Sequence, residues 1–155
     1  MSVRDRIVAD LGAAMKSKDA VRLGVLRMVK ARMLEAEVEQ RAKEGADYRL
    51  SDAETLAVLS AYAKQRRDSI DAFRKGGRED LAVKEEAELA VLHEYLPRQL
   101  SADEVRDIVR QAMAETGATS LRDLGVVMKA VMPKVKGTAD GKLVNDVVRA
   151  MLSAG

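Results

Sequence analysis

Apolar residues recur every three or four positions through most of this 155-residue chain, which is the spacing of helices with one buried face. Runs of this spacing predict four helices before Pro97, at about residues 2–17, 19–45, 51–76 and 79–94. Asp19 is a suitable N-cap for the second of them. Ser51 and Glu54 have the spacing of a capping box, in which both side chains satisfy free N–H groups at a helix start.

Leu96-Pro97 marks a boundary, because the residue before a proline avoids helical geometry. A second capping box at Ser101 and Glu104 opens three shorter runs, at about residues 101–117, 120–133 and 140–152. We expect Gly117 to end the first of these and Pro133 to end the second. The pattern therefore predicts an all-α fold, with a helical domain of about four helices at 1–96 and a three-helix domain at 97–155.

The composition favours helices and excludes several kinds of metal and catalytic site. Charged residues make up 34% of the chain and aromatic residues only 3%, whereas strands favour aromatic side chains. Without cysteine there is no disulfide, thiolate metal site or cysteine nucleophile, and one histidine, His93, cannot form a two-histidine metal motif. The N-terminus lacks the apolar core of a signal peptide, and no segment approaches the roughly 20 apolar residues of a membrane span. We expect a cytoplasmic protein without membrane contact, cofactor or metal.

Charge is distributed unevenly. Residues 1–97 carry 18 basic and 18 acidic side chains, whereas residues 98–155 carry nine basic and seven acidic ones. In the first part the second helix starts basic and the fourth is acidic, and Arg66 interrupts the apolar face of the third. These charges indicate either pairing between neighbouring helices or a basic surface for a partner.

The most distinctive stretch is Met132–Lys142, where two lysines and a glycine-containing turn precede the last helix. Positive side chains there would lie beside a helix N-terminus, whose free N–H groups favour an anion. Candidate anion- or RNA-binding residues are Lys134, Lys136, Gly137, Gly141 and Lys142, with Lys129 and Arg122 extending the patch. The alternative is a tight helix connection with solvated lysines, and Asp140 opposes anion binding because an N-cap carboxylate can take the same N–H groups.

Nucleotide hydrolysis is excluded at this stretch. Gly137 and Gly141 are one residue too close for a P-loop, Leu143 replaces the hydroxyl that would hold magnesium, and no strand precedes the turn. Elsewhere carboxylates crowd the fourth helix and serines lie almost only at caps and helix ends, so no catalytic set of residues emerges.

Several stretches together carry a family resemblance. They are Arg27-Met28, Lys64-Gln65-Arg66, Gly77-Arg78-Glu79-Asp80-Leu81, Glu94-Tyr95-Leu96-Pro97-Arg98-Gln99-Leu100, Met132-Pro133-Lys134-Val135-Lys136-Gly137 and Ala139-Asp140-Gly141-Lys142-Leu143-Val144. Over nearly its full length the chain resembles the YqeY family of the GatB/YqeY superfamily.

The resemblance implies an all-helical fold and a function. The C-terminal part is similar to the tail domain of the B subunit of the glutamine-dependent aspartyl/glutamyl-tRNA amidotransferase, a tail thought to contact tRNA. It implies an accessory module that binds tRNA or assists an amidotransferase or a tRNA-charging enzyme. The alternatives are a protein-interaction adaptor without RNA binding, and a carbon–nitrogen ligase with glutamine as amido donor, although the large catalytic domain has no counterpart in this chain.

Overall fold

The computed structural model describes residues 1–154 and confirms the all-α prediction, with no strand in that range. Its seven α-helices are α1 (Val3–Ser17), α2 (Ala20–Glu44), α3 (Asp52–Lys75), α4 (Glu79–His93), α5 (Ala102–Thr116), α6 (Leu124–Val135) and α7 (Gly141–Ala154). A short 3₁₀ turn, Leu121–Asp123, precedes α6. The predicted helix bounds hold to within two residues except around α6.

The described chain divides into two compact units, an N-terminal unit of residues Met1–Leu96 and a C-terminal unit that starts at Pro97. Each unit has a core of its own. In the N-terminal unit every helix contributes one large side chain with no exposed surface: Ile7, Leu26, Leu59 and Leu92. The C-terminal core consists largely of valines from its three helices, including Val109, Val127 and Val148.

Side-chain caps explain where several helices begin. At α3 the predicted capping box forms, because Ser51 Oγ accepts the Glu54 N–H at 3.2 Å and Glu54 Oε2 accepts the Ser51 N–H at 2.8 Å. At α5 the Ser101 hydroxyl accepts the Glu104 N–H at 3.1 Å. The Glu104 carboxylate is also held by two hydrogen bonds from Arg98, at 2.9 and 2.8 Å, which lower its pKa to about 2.

Ion pairs between helices show that some of the segregated charges of the N-terminal unit pair with one another. Arg22 on α2 donates to Glu94, just after α4, at 2.5 Å. Arg66 on α3 reaches two carboxylates of α4, Glu85 at 2.5 Å and Glu88 at 3.1 Å. The arginine that interrupts the apolar face of α3 is therefore neutralised by the acidic helix.

Glu37 is a buried charge that the sequence pattern did not reveal. Its side chain is 1% exposed and lies between Arg4 of α1, at 3.0 Å, and Arg41 of its own helix, at 3.1 Å. The Leu50 N–H points at the same carboxylate from 3.4 Å, and Arg41 Nε donates to the Tyr48 carbonyl at 3.3 Å. One carboxylate thus ties together α1, α2 and the loop that leads into α3.

Candidate nucleic-acid interface

Helix α6 forms one side of the candidate interface, and it continues past the proline that was expected to end it. Pro133 lies inside the helix, so that expectation is wrong. Proline removes only one intrahelical hydrogen bond, the one to the Lys129 carbonyl. The inward positions Val127, Val131 and Val135 are fully buried at helical spacing, and this packing holds the last turn in place.

The start of α6 also differs from the prediction. Ser120 precedes the 3₁₀ turn rather than the α-helix itself. Asp123 Oδ2 accepts the N–H groups of Thr119 at 2.9 Å and Ser120 at 3.2 Å, and these bonds lower the pKa of its carboxyl group. This carboxylate is therefore engaged by the backbone of the chain that leads into α6.

The turn after α6 is tightly fixed. Gly137 has φ +79°, a left-handed conformation that glycine adopts without steric cost. The Val135 carbonyl accepts the N–H groups of Thr138 and Ala139 at 2.9 and 3.0 Å. Two residues that the site prediction omitted hold the turn from outside, because Gln99 Nε2 donates to the Gly137 carbonyl at 3.1 Å and Leu100 N–H to the Thr138 carbonyl at 2.7 Å.

The remaining turn residues begin α7. Gly141 is its first residue, and a Cβ atom added there would lie 3.8 Å from the Met132 methyl group, an ordinary contact. Lys142 follows with an exposed side chain in the first turn. The Asp140 carbonyl accepts the Val144 N–H at 3.1 Å, so Asp140 occupies the N-cap position of α7.

Three of the predicted cations lie on α6 or directly beside its ends. All three are exposed: Arg122 in the 3₁₀ turn before α6, Lys129 within α6, and Lys136 at its C-cap. The sequence has no acidic residue from Leu124 to Ala139, so the helix has no carboxylate of its own. Lys134 differs, because its ammonium group lies 3.4 Å from Glu115 on α5.

The acids of the C-terminal unit lie largely in ion pairs elsewhere. On α5, Asp103 pairs with Arg106, and Asp107 pairs with Arg110 at 2.7 Å. Together with the Arg98–Glu104 pair these contacts leave the positive surplus on α6 and the turn. The structure therefore concentrates the excess cations of this unit on one helix and its flanks, where phosphate oxygens could bind.

Other candidate chemistry is sparse in the described chain. Residues 1–154 contain no group of three or more His, Cys, Asp or Glu side chains that could hold a metal ion. None of their helices is long and apolar enough to span a bilayer. His93 ends α4 with an exposed side chain, and desolvation by the groups around it, together with the nearby Arg67, lowers the pKa of its imidazole.

Comparison with known families decides the relationship. The model of the family described as "Yqey-like protein" matches residues 4–152 of the chain. The chain belongs to this family. Membership confirms the resemblance that the sequence motifs carried.

Named relatives of the YqeY-like chain come from fungi. "Altered inheritance of mitochondria protein 41, mitochondrial" of Pyrenophora tritici-repentis is 31% identical over 98% of this chain and 82% of its own length. Proteins with the same name from Eremothecium gossypii and Candida glabrata are 34% and 33% identical over 56% and 66% of this chain. The matches span only 45% and 54% of those two proteins.

These names correct one expectation from the sequence. These three relatives carry the designation mitochondrial in their names. The cytoplasmic prediction is therefore contradicted.

Proposed function

We propose that this YqeY-like chain is an accessory module that binds tRNA through its C-terminal unit. The observation that carries the proposal is the set of exposed cations Arg122, Lys129 and Lys136 at and beside α6, a helix that has no acidic residue of its own. The turn at Gly137 and the start of α7 continue this surface toward Lys142.

The composition of the surface favours contact with the phosphate backbone. The C-terminal unit, which starts at Pro97, has no aromatic residue on which splayed bases could stack. Lysine and arginine side chains that neutralise phosphates release counterions, which makes binding sensitive to salt. The expected ligand is a folded RNA recognised by its shape and backbone, which fits tRNA.

The test is binding of fluorescently labelled tRNA to the full chain across a salt series. Each phosphate neutralised should contribute a slope of about −0.7 to −0.9 to log affinity against log salt. The double variant Lys129→Glu/Lys136→Glu should lose about two phosphate contacts, so the slope should become less steep by about 1.4 to 1.8. At physiological salt its affinity for tRNA should be about tenfold lower or weaker still.

A matched control is Lys43→Glu/Lys75→Glu in the N-terminal unit, where both lysines are also exposed. Both double variants change the formal net charge from +2 to −2. Equal loss of binding in the two variants would show that overall charge, rather than α6, attracts the RNA. Absence of salt-sensitive binding by the unmodified chain would end the proposal.

The same proposal extends to partners. A tRNA-charging enzyme or an amidotransferase subunit should co-purify with the tagged chain, and RNase treatment should release it if tRNA bridges the two. A partner that resists RNase would instead support the adaptor function. Glutamate release from glutamine, with ATP and misacylated tRNA, would support the ligase function.

A further inference from the structure

Helix α2 has a second apolar face that the core of its unit does not use. Its inward face, including Leu26, Val29 and Met33, is buried. On the opposite side the side chains of Leu34 and Val38 are 51% and 56% exposed. A helix with apolar residues on both faces normally packs against a partner on each.

The outward face has the spacing of a coiled-coil seam. Gly24, Arg27, Ala31, Leu34 and Val38 follow one another at alternating intervals of three and four residues, and all are exposed. Met28, 43% exposed, flanks this seam. We call these six residues the α2 seam. Its small central residue, Ala31, would allow another helix to approach closely.

Charges along the seam are separated by sign. Arg27 and Lys30 lie in the first half of the exposed surface, and Glu35 and Glu39 lie in the second half. Within residues 1–154 none of these four side chains forms an ion pair, unlike Arg22 and Arg66 of the same unit. The helix dipole favours the opposite order of charges, so the helix itself gains nothing from this arrangement.

A second copy of the same helix, running antiparallel, complements this pattern. We propose that the chain self-associates through the α2 seam about a two-fold axis. In such a contact residue i of one copy faces residue j of the other, and j faces i. An axis near Ala31 brings Arg27 to the same height along the helix as Glu35 of the other copy, and Met28 to the same height as Leu34, so the positive half of each helix lies beside the negative half of the other.

The size of the seam sets the strength of the dimer. From Gly24 to Val38 the helix rises about 21 Å, and a strip about 10 Å wide covers a few hundred Å² per copy. Stable complexes usually bury about 800 Å² per partner. The dimer should therefore be weak and concentration-dependent, with dissociation in the micromolar range or above.

Charge exchange combined with analytical ultracentrifugation tests the antiparallel contact. Arg27→Glu/Lys30→Glu and Glu35→Lys/Glu39→Lys should each weaken association at least tenfold, because like charges then face each other. The variant carrying all four changes restores opposite charges across the axis and keeps the net charge of the unmodified chain. It should dimerise as the unmodified chain does.

Cross-linking supplies a second, independent measurement. The chain contains no cysteine, so Ala31→Cys introduces a single thiol next to the proposed axis. Mild oxidation should convert this variant to a covalent dimer much faster than Ala87→Cys, an exposed site on α4.

Several outcomes would overturn the proposal. They are a monomeric chain up to millimolar concentration, failure of the fourfold variant to restore association, and equal cross-linking at both cysteine sites. Association that disappears after nuclease treatment would assign it to bridging RNA and would equally refute a direct α2 contact.

Discussion

Replacing Glu37 by glutamine should destabilise the protein, because it removes the one negative charge between two arginines. The glutamate side chain is 1% exposed, and both of its oxygens face guanidinium groups of Arg4 and Arg41. Glutamine has nearly the same volume, so no cavity forms. The variant therefore isolates the electrostatic and hydrogen-bonding contribution of the carboxylate.

The expected loss of unfolding free energy depends on how far Arg4 and Arg41 are exposed to water. Breaking a fully buried ion pair costs about 3–5 kcal/mol, since it leaves a charge without a partner. The side chains of Arg4 and Arg41 are 33% and 28% exposed, so water can solvate part of each. We expect a loss of about 2–3 kcal/mol in the free energy of unfolding, which lowers the melting temperature by about 5–10 °C in a chain of this size.

Thermal unfolding followed by circular dichroism provides the measurement. Glu44→Gln is the matched control, because Glu44 is an exposed residue of the same helix and should change stability by less than about 0.5 kcal/mol. A melting temperature for Glu37→Gln within 1 °C of the control would refute the assignment of Glu37 as a charge that stabilises the unit.

A triple variant separates the penalty of an unpaired charge from the net value of the cluster. Replacement of Arg4, Glu37 and Arg41 by methionine removes all three charges together. Buried ion clusters replaced by apolar side chains often lose little stability. The triple variant should therefore be less destabilised than Glu37→Gln, and a greater loss would show that the cluster itself is strongly stabilising.

Three further predictions concern single sites. His93, the one histidine of the chain, should titrate with a pKa below 6.5 by NMR, and Arg67→Gln should raise that pKa. A measured pKa of 6.5 or above would contradict the effect assigned to desolvation and Arg67. The pKa of Glu104 is about 2, below its ordinary value of 4.5. The ionised carboxylate therefore contributes its full stabilisation above pH 4.5, and this contribution disappears as the pH falls toward 2. Carboxyl NMR should show this low value, and Arg98→Gln should raise it. Gly137→Ala should cost about 1–2 kcal/mol, because alanine is strained at positive φ, and denaturant unfolding would measure it.

Local patterns predicted most of the fold. Apolar spacing and the Ser51 cap located the helices well, since these signals lie within a few residues of each other in sequence. The prediction that Pro133 ends α6 is wrong because the burial of Val135, a tertiary contact, maintains the helix beyond the proline.

The candidate site was predicted less completely. The lysines were visible from their spacing, but the pairing of Lys134 with Glu115 depends on how α5 and α6 pack. Glu37 looked like one more surface acid of α2, because its partner Arg4 is 33 residues away. The role of Gln99 is likewise not visible in the sequence, because its contact with Gly137 joins residues 38 positions apart.

The contact between Gln99 and the turn also defines where the C-terminal unit begins. Gln99 bonds the Pro97 and Gly137 carbonyls at 2.9 and 3.1 Å, and Leu100 adds a backbone bond and packs against the core. A fragment starting at Ser101 would contain all three helices yet lose the peptide that holds the turn between α6 and α7. Any isolated version of this unit should therefore start at or before Pro97, because its first four residues are part of its fold rather than a linker.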